Sequence, residues 1–307
     1  MTIGSCFSDN IGKRLIDHGF DTSSNPFSTI FNPISIAKLI SMTLKGKSID
    51  DAEVSRSHGR SFHYDFHSSF DSSDPAKVKQ SINEVLLSAH SFMKGMEFMI
   101  ITLGTSIVYK KKEDKTIVSN CHKMPSQLFS KELLSEDSML KDLELALGGL
   151  WKNNPKRIII LTVSPVRHIK EGVVQNSLSK SRLISLCHTL CEKYPLLSYF
   201  PAFEIMMDEL RDYRFYESDL IHPNQQAIDI IWSRFMDSYF DETAKEKVVA
   251  FKALNAAANH KPFDSTSENH QKFITNQLDN LAQLSRIYPE YDFSSYKTLF
   301  ESQWITS

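Results

Sequence analysis

The sequence predicts an α/β protein, a three-layer αβα sandwich on a mainly parallel sheet, with a helical C-terminal extension. Three observations predict it. Apolar runs over 98–103, 157–163 and 197–200, with a stub at 1–3, have strand character, and 157–163 is apolar on both faces, as suits a strand covered on each side. Amphipathic stripes of helical period fill the gaps between these runs. Beyond residue 239 the pattern is helical to the end, apart from a loop at 263–267. Strands alternating with helices build a parallel sheet with helices on both sides.

Taken in order, the chain opens MTIGSCFSDNIGKRL. Met1 to Ile3 make the stub, Gly4-Ser5-Cys6 a tight turn, and Ser8-Asp9 a cap for a helix carrying Ile11, Leu15 and Ile16. A serine on a sharp strand-to-helix turn, with a helix N-terminus behind it, is well presented as a nucleophile. Such a turn is also a common way round a corner. Strands in such sheets run to about 5–6 residues, so the short stub leads us to expect a missing N-terminal segment. Residues 45–75, rich in Ser, Asp and His, read as an excursion with one strand at 62–66. Val78, Ile82, Val85, Leu86 and Ala89 stripe a helix over 76–94. A hairpin is expected within 105–125, pairing 107–109 with 116–118 about the charged run 110–115. Leu133, Leu134, Leu140, Leu143 and Leu147 mark a helix over 131–151, and Leu183, Ile184, Leu186 and Leu190 another over 178–193. Ala227, Ile230, Ile231 and Phe235 mark the last core helix, 224–240, with Asn224 as its cap. Residues 1–240 are therefore expected to form the main domain. Residues 241–307 are expected to pack onto it as helices, their apolar faces being too few for a core of their own.

With 35 basic and 37 acidic side chains and 41% hydrophobic residues, the 307-residue chain has neither a nucleic-acid surface nor a disordered composition. No apolar run approaches the roughly 20 residues of a membrane span, and no signal peptide opens the chain, so a cytoplasmic protein is expected. Cys6, Cys121, Cys187 and Cys191 are too few and scattered for a disulfide scaffold. Cys187 and Cys191, one helical turn apart beside His188, invite a metal, but no second ligand pair has suitable spacing. They are expected to be core thiols, and no metal or cofactor is expected.

The polar residues collect where strands end. Gly4-Ser5-Cys6, Gly104-Thr105-Ser106, Ser164-Pro165-Val166-Arg167-His168 and Pro201-Ala202-Phe203-Glu204 each follow an expected strand. Ligands of open α/β sheets bind outside those carboxyl ends. Further on stands Asp219-Leu220-Ile221-His222-Pro223-Asn224. Pro223 keeps His222 in the loop before the helix. Asp and His three apart in a loop can meet through imidazole Nδ1, fixing the tautomer in which Nε2 takes a proton from a serine. In isolation, the same spacing is a capping loop. Glu204 and Asp208 are expected to face Arg211 and Arg214 rather than act as acids, with Asp212 on the same charged face.

As a set these motifs resemble the SGNH (GDSL-like) hydrolases and, more narrowly, the GSCFA family. Gly4-Ser5-Cys6-Phe7 carries the name motif, with Ser8 where the family has Ala. Asn25-Pro26-Phe27 with Phe31-Asn32-Pro33, 101–105, 120–123, 161–168 and 219–222 also match, so the resemblance covers most of residues 3–240. It implies an αβα fold and ester hydrolysis or acyl transfer at a serine. Ser5 matches the nucleophile, His222 the base and Asp219 its orienter, and the expected partner is a small-molecule or carbohydrate acyl ester. Ser28 stands where the family pattern has Gly. If that position supplies an oxyanion amide, Ser28 can still donate, but a positive φ would strain it. The superfamily's asparagine follows a Gly-x-Asn turn, whereas this chain reads Gly104-Thr105-Ser106, leaving Asn120 or Asn32 as substitutes. His168 either assists the oxyanion or finishes its turn on a backbone carbonyl. Three rival readings stand beside the esterase. One is an acyltransferase on the same site. Another is a binding module that keeps the site shape and holds a polar ligand with His122, His168 and Arg167. The third is a thiol enzyme built on Cys6.

Overall fold

A computed structural model describes residues 1–303 of the chain. β1 (Thr2–Gly4) passes through Ser5 into α1 (Cys6–Asp17), and α2 (Pro33–Leu44) follows. An antiparallel pair, β2 (Ser55–Ser57) and β3 (Arg60–Phe62), precedes α3 (Pro75–Gly95) and β4 (Phe98–Leu103). β5 (Ile107–Lys111), β6 (Ile117–Val118) and β7 (Phe129–Leu133) make a small antiparallel sheet in the order β6-β5-β7. α4 (Glu136–Asn153), β8 (Ile158–Val163), α5 (Val173–Lys193) and β9 (Leu197–Phe200) resume the alternation. α6 (Ala202–Glu204) runs into a π-helical turn, Ile205–Glu209, and α7 (Gln225–Tyr239) follows.

The main sheet is parallel, in the order β1-β4-β8-β9. Gly4 lies opposite Thr102, Thr102 opposite Thr162, and Thr162 opposite Phe200. The four strands therefore end level, and the loops leaving them start from one row. β4 and β8 are buried along five of their six residues. They pack with Ile36, Leu39 and Ile40 of α2, Val78, Ile82 and Leu86 of α3, Leu143 and Leu147 of α4, and Leu183 and Leu190 of α5. That is the expected α/β sandwich.

Several boundaries differ from the sequence reading, each for a local reason. α1 starts at Cys6, because Ser5 Oγ accepts from Phe7 N (3.3 Å). Ser8 lies inside the helix and donates its Oγ to Thr102 Oγ1 (2.8 Å) instead of capping. α2 was not anticipated, although it carries a cap and a first-turn proline: Asn32 Oδ1 accepts from Ser35 N, and Pro33 follows it. The excursion holds two short strands, 55–57 and 60–62, rather than one at 62–66, since Phe66 N turns back to His63 O. The hairpin gains a third strand, β7, which takes residues expected to start a helix. Ser135 caps α4, so that helix begins at Glu136. Arg157, read as part of a strand, lies just before β8 and is fully buried. Its guanidinium donates to Leu150 O (2.7 Å), which also accepts from Asn154 N (3.1 Å), and to Met96 O (3.2 Å) and Met93 O, carbonyls at the ends of α4 and α3.

The described chain divides into two compact units. The first takes Met1–Lys13 and Thr22–Phe235. The second takes Arg14–Asp21 and the chain from Met236 onward. The extension expected over 241–307 is described as far as 303, its last four residues lying outside. It holds α8 (Glu242–Ala258), α9 (Glu268–Ile287) and α10 (Ser294–Glu301), and Phe251, Leu254, Ile274, Leu281, Phe293 and Phe300 bury against one another. Within this unit the Phe20 ring packs on Phe240 (5.2 Å between centroids). Gly19, at φ +77°, lies so close to the Phe251 ring that a Cβ would come within 2.3 Å of it.

Candidate active site

The turn after β1 is built around what glycine allows. Gly4 has φ +140°, and a Cβ there would stand 2.2 Å from Thr102 O. Ser5 N donates to Thr102 O (3.2 Å) and Ile30 N to Gly4 O (2.9 Å), while Gly4 N donates to Asn25 Oδ1 (3.0 Å). Asn25 sits at φ +43° and also gives its Nδ2 to Asp9 Oδ1 (3.0 Å). Residues 25–31 thus bind the tips of β1 and β4 together, for Phe31 O also accepts from Gly104 N (2.7 Å) and Thr105 N (3.3 Å). Ser5 is 2% exposed at this junction. Cys6 N, the next amide, makes no hydrogen bond to another described residue and lies at the positive end of α1. Burial pushes the Cys6 thiol up, and Asp9 adds to the rise, which keeps the sulfur protonated and disfavours a thiolate nucleophile.

Asp219 and His222 meet as their spacing suggests. His222 Nδ1 donates to Asp219 Oδ2 (2.6 Å), and Asp219 Oδ1 accepts from Ile221 N (2.8 Å) and His222 N (3.0 Å). These bonds, the His222 amide first, hold the Asp219 carboxyl down at about 2, so it stays ionised. Leu220, between them, is held at φ +58°, a left-handed conformation costly for a branched residue. The loop is closed by Glu217 N to His222 O (2.8 Å) and tied to the loop after β8 by Arg167 N to Ile221 O (3.2 Å). Asn224 caps α7, its Oδ1 accepting from Ala227 N (3.1 Å), as expected. The His222 side chain is 48% exposed. Among the described residues no hydrogen bond joins Ser5 to His222, so two of the three expected partners are paired and the serine is covered.

His168 stands between these two groups of residues. Its ring packs on Phe31 (5.1 Å), and a Cβ on Gly104 would meet its Nε2 at 3.1 Å. That nitrogen is buried without a hydrogen-bond partner, while His168 N donates to Asn176 Oδ1 (2.8 Å). Burial first, then the charges of Lys180 and His222, push the imidazole down to about 3, so it is neutral at any working pH.

The other expected residues are engaged elsewhere. Asn32 spends both ends of its amide on α2, with Oδ1 taking Ser35 N and Nδ2 giving to Ser35 Oγ. Ser28 has the expected positive φ, +60°, but its N donates to Asn25 O (2.8 Å) and its Oγ bonds His67 Nδ1 (3.2 Å). Asn120 Oδ1 accepts from His122 N (2.8 Å). His122 stacks on Phe62 (4.5 Å), sets Nδ1 against Asp71 Oδ1 (2.9 Å) and gives Nε2 to His63 O (3.1 Å). Thr105 and Ser106 lock onto Ser179 of α5. Asn32 and Ser28 are thereby engaged within the fold, whereas the Nδ2 of Asn120 makes no hydrogen bond among the described residues. Glu204 accepts from Tyr199 OH (2.8 Å), and Asp208 pairs with Arg211 (2.9 Å) as expected.

One group escaped the sequence reading. Lys180 of α5 is 1% exposed and donates Nζ to Ser164 O (2.6 Å) at the end of β8, under the loop that carries Arg167 and His168. Its place in a helical stripe gave no signal, because its burial depends on a strand end that only the fold supplies. Among the described residues no cluster of three His, Cys, Asp or Glu is placed to hold a metal, and no helix is long and apolar enough to cross a membrane.

Two family models match the chain: the GSCFA family over residues 1–235, and the C-terminal domain of GSCFA domain proteins over 251–306. No curated protein and no solved structure matches it.

Proposed function

The chain belongs to the GSCFA family, and from that premise we propose that it is a serine hydrolase of acyl esters of the SGNH kind, acting on small-molecule or carbohydrate esters. The observation that carries this reading is the Asp219–His222 pair. With Nδ1–H held on an ionised carboxylate, Nε2 is the basic nitrogen. Ser5 Oγ attacks the ester carbonyl as its proton passes to His222 Nε2, and Asp219 stabilises the imidazolium. The carbonyl oxygen becomes an oxyanion, for which the free Cys6 amide and the unpartnered His168 Nε2, as N–H, are the donors. Collapse expels the alcohol, which takes the proton from His222. Water then attacks the acyl-serine with His222 again as base, releasing the acid and restoring Ser5. An alcohol acceptor in place of water makes the same site an acyltransferase.

A second reading, a binding module that keeps the site shape, is favoured by one observation: Ser5 is covered and its Oγ is bonded to Phe7 N rather than to His222. Hydrolysis of an activated acetyl ester decides between them. Ser5→Ala and His222→Ala are each expected to lose at least ~10³-fold in kcat, and the double variant little more, because members of one proton-relay unit are not additive. Wild-type protein that neither turns the ester over nor is acylated by it leaves the binding module. Wild-type turnover in well-folded Ser5→Ala, with Cys6→Ala inactive, moves the nucleophile to the thiol.

A further inference from the structure

Beside the His222 loop lies a groove of about 230 Å³, lined by Arg167, Met206, Met207, Leu210, Tyr213 and Tyr216, with Arg211 and Asp212 at its margin. Its floor and one wall are apolar: Met206 and Leu210 are buried, and Met207 flanks them. Met206 and Met207 belong to the π-helical turn Ile205–Glu209, which Leu210 ends, a rare form frequent at functional sites.

Arg167 faces that wall. Its guanidinium lies 4.2 Å from the centre of the Tyr216 ring and 5.5 Å from that of Tyr213. Stacking on two rings fixes the plane of the fork and leaves its edges to point along the groove. Among the described residues only Nη1 has an acceptor, Leu220 O at 3.4 Å, which is a long bond. The other charged groups here are already matched. Arg211 pairs with Asp208 (2.9 Å), and Asp212 faces Arg214 Nε at 3.9 Å. Among the described residues no carboxylate pairs with Arg167. A half-buried guanidinium, planar, oriented and lacking a counter-ion, suits a carboxylate, which it can bind through two parallel N–H donors.

The groove is joined to the reacting end of the site. Arg167 N holds Ile221 O, next to His222, and the residue after Arg167 is His168. Resting on the hydrolase reading, we infer that the groove binds an anionic group of the substrate: the ester this site takes carries a carboxylate on a mainly apolar skeleton, seated between Arg167 and the Met206–Leu210 wall.

Two measurements separate this from the hydrolase reading itself. The first is binding alone, on Ser5→Ala protein, with benzoate and its neutral counterpart benzamide as probes. Benzoate is expected to bind at least tenfold tighter than benzamide, and Arg167→Gln to abolish the difference. Equal binding of the two, or a preference that survives Arg167→Gln, overturns the inference whether or not the protein is an esterase. The second is turnover of matched activated esters. Phenyl acetate against 4-acetoxybenzoate tests an anion on the alcohol, and 4-nitrophenyl pentanoate against the glutarate half-ester tests one on the acyl group. One anionic member is expected to have the higher kcat/KM, through KM, and Arg167→Gln is expected to lower that ratio about tenfold or more. If Arg167→Gln does not fold, salt replaces it. Raising ionic strength from ~0.05 to ~0.5 M should shrink the anionic preference, and a preference for neutral esters at low salt sinks the inference while leaving the hydrolase standing.

Discussion

At Lys180 the whole four-carbon stem lies inside the fold, and the amine has one carbonyl, Ser164 O, and the Phe203 ring (5.4 Å) for company. Burial pushes it down to about 7, with the nearby Cys6 acting weakly the other way. Above the ordinary lysine value of about 10.4 the amine is neutral in both folded and unfolded chains. Between there and about 7, the unfolded chain holds a proton that the folded chain has released, so stability rises with pH by up to ~1.4 kcal/mol per unit. Below about 7 the full cost of the buried charge remains. Lys180→Met is therefore expected to raise the melting temperature near pH 7 and to lose much of that advantage by pH 10. A difference between the two proteins that is the same at both pH values would contradict this. At this scale the sequence was legible where chemistry is local. Asp219 and His222 are three apart, and their pairing needs only one loop. Which side chains stay free at the strand ends was not legible, because whether Asn32 or Ser28 is free depends on which amides it meets. Asn32 meets its own helix, and Ser28 meets Asn25 O and His67.

Helices and strands were legible where burial enforces a period, as in α3, α5, α7, β4, β8 and β9. They failed where a boundary is decided by one side chain. Ser135 moved the start of α4, and Asn32 with Pro33 launched α2 out of a segment read only as a motif. β2 and β7 have too few apolar residues to show as strands, and each exists because a neighbour pairs with it. Arg157 is the strongest case of an element held from outside. Three carbonyls from two helix ends converge on one guanidinium, whose pKa burial lowers. Arg157→Lys can satisfy only part of that set; Leu150 O keeps its bond from Asn154 N, while a buried carbonyl of Met93 or Met96 left without a donor costs about 1–3 kcal/mol. The variant is expected to lose about 2–4 kcal/mol in denaturant unfolding with an unchanged m-value. A loss under 1 kcal/mol would show that water or a lysine ammonium replaces the fork.

For the whole molecule, the division after Phe235 coincides with the end of the GSCFA match, and the second match lies wholly within the second unit. Composition and periodicity set a boundary at 240. What they could not show is that Arg14–Asp21 belongs with the C-terminal unit, because its partners lie more than two hundred residues away in sequence. Phe20 packs on Phe240, and Asn255 Nδ2 donates to Asp17 O (2.5 Å). A chain ended at Phe235 therefore strips the last turn of α1 of its packing. In that truncated protein, amide hydrogen exchange at 14–21 is expected to approach the unprotected rate while β4 and β8 stay protected. Full-length protection at 14–21 would show that the segment holds without them.

The asparagines that brace the scaffold bear on how the protein ages. Asparagine side chains decay when the following backbone nitrogen closes a succinimide ring, and that step needs an amide N–H. Asn25, which holds Gly4 N, is followed by Pro26, and Asn32, which caps α2, is followed by Pro33. Proline has no N–H to give. The two side chains that fix the Gly4-Ser5 turn and start α2 cannot deamidate by this route, so chemical wear on storage begins elsewhere in the chain.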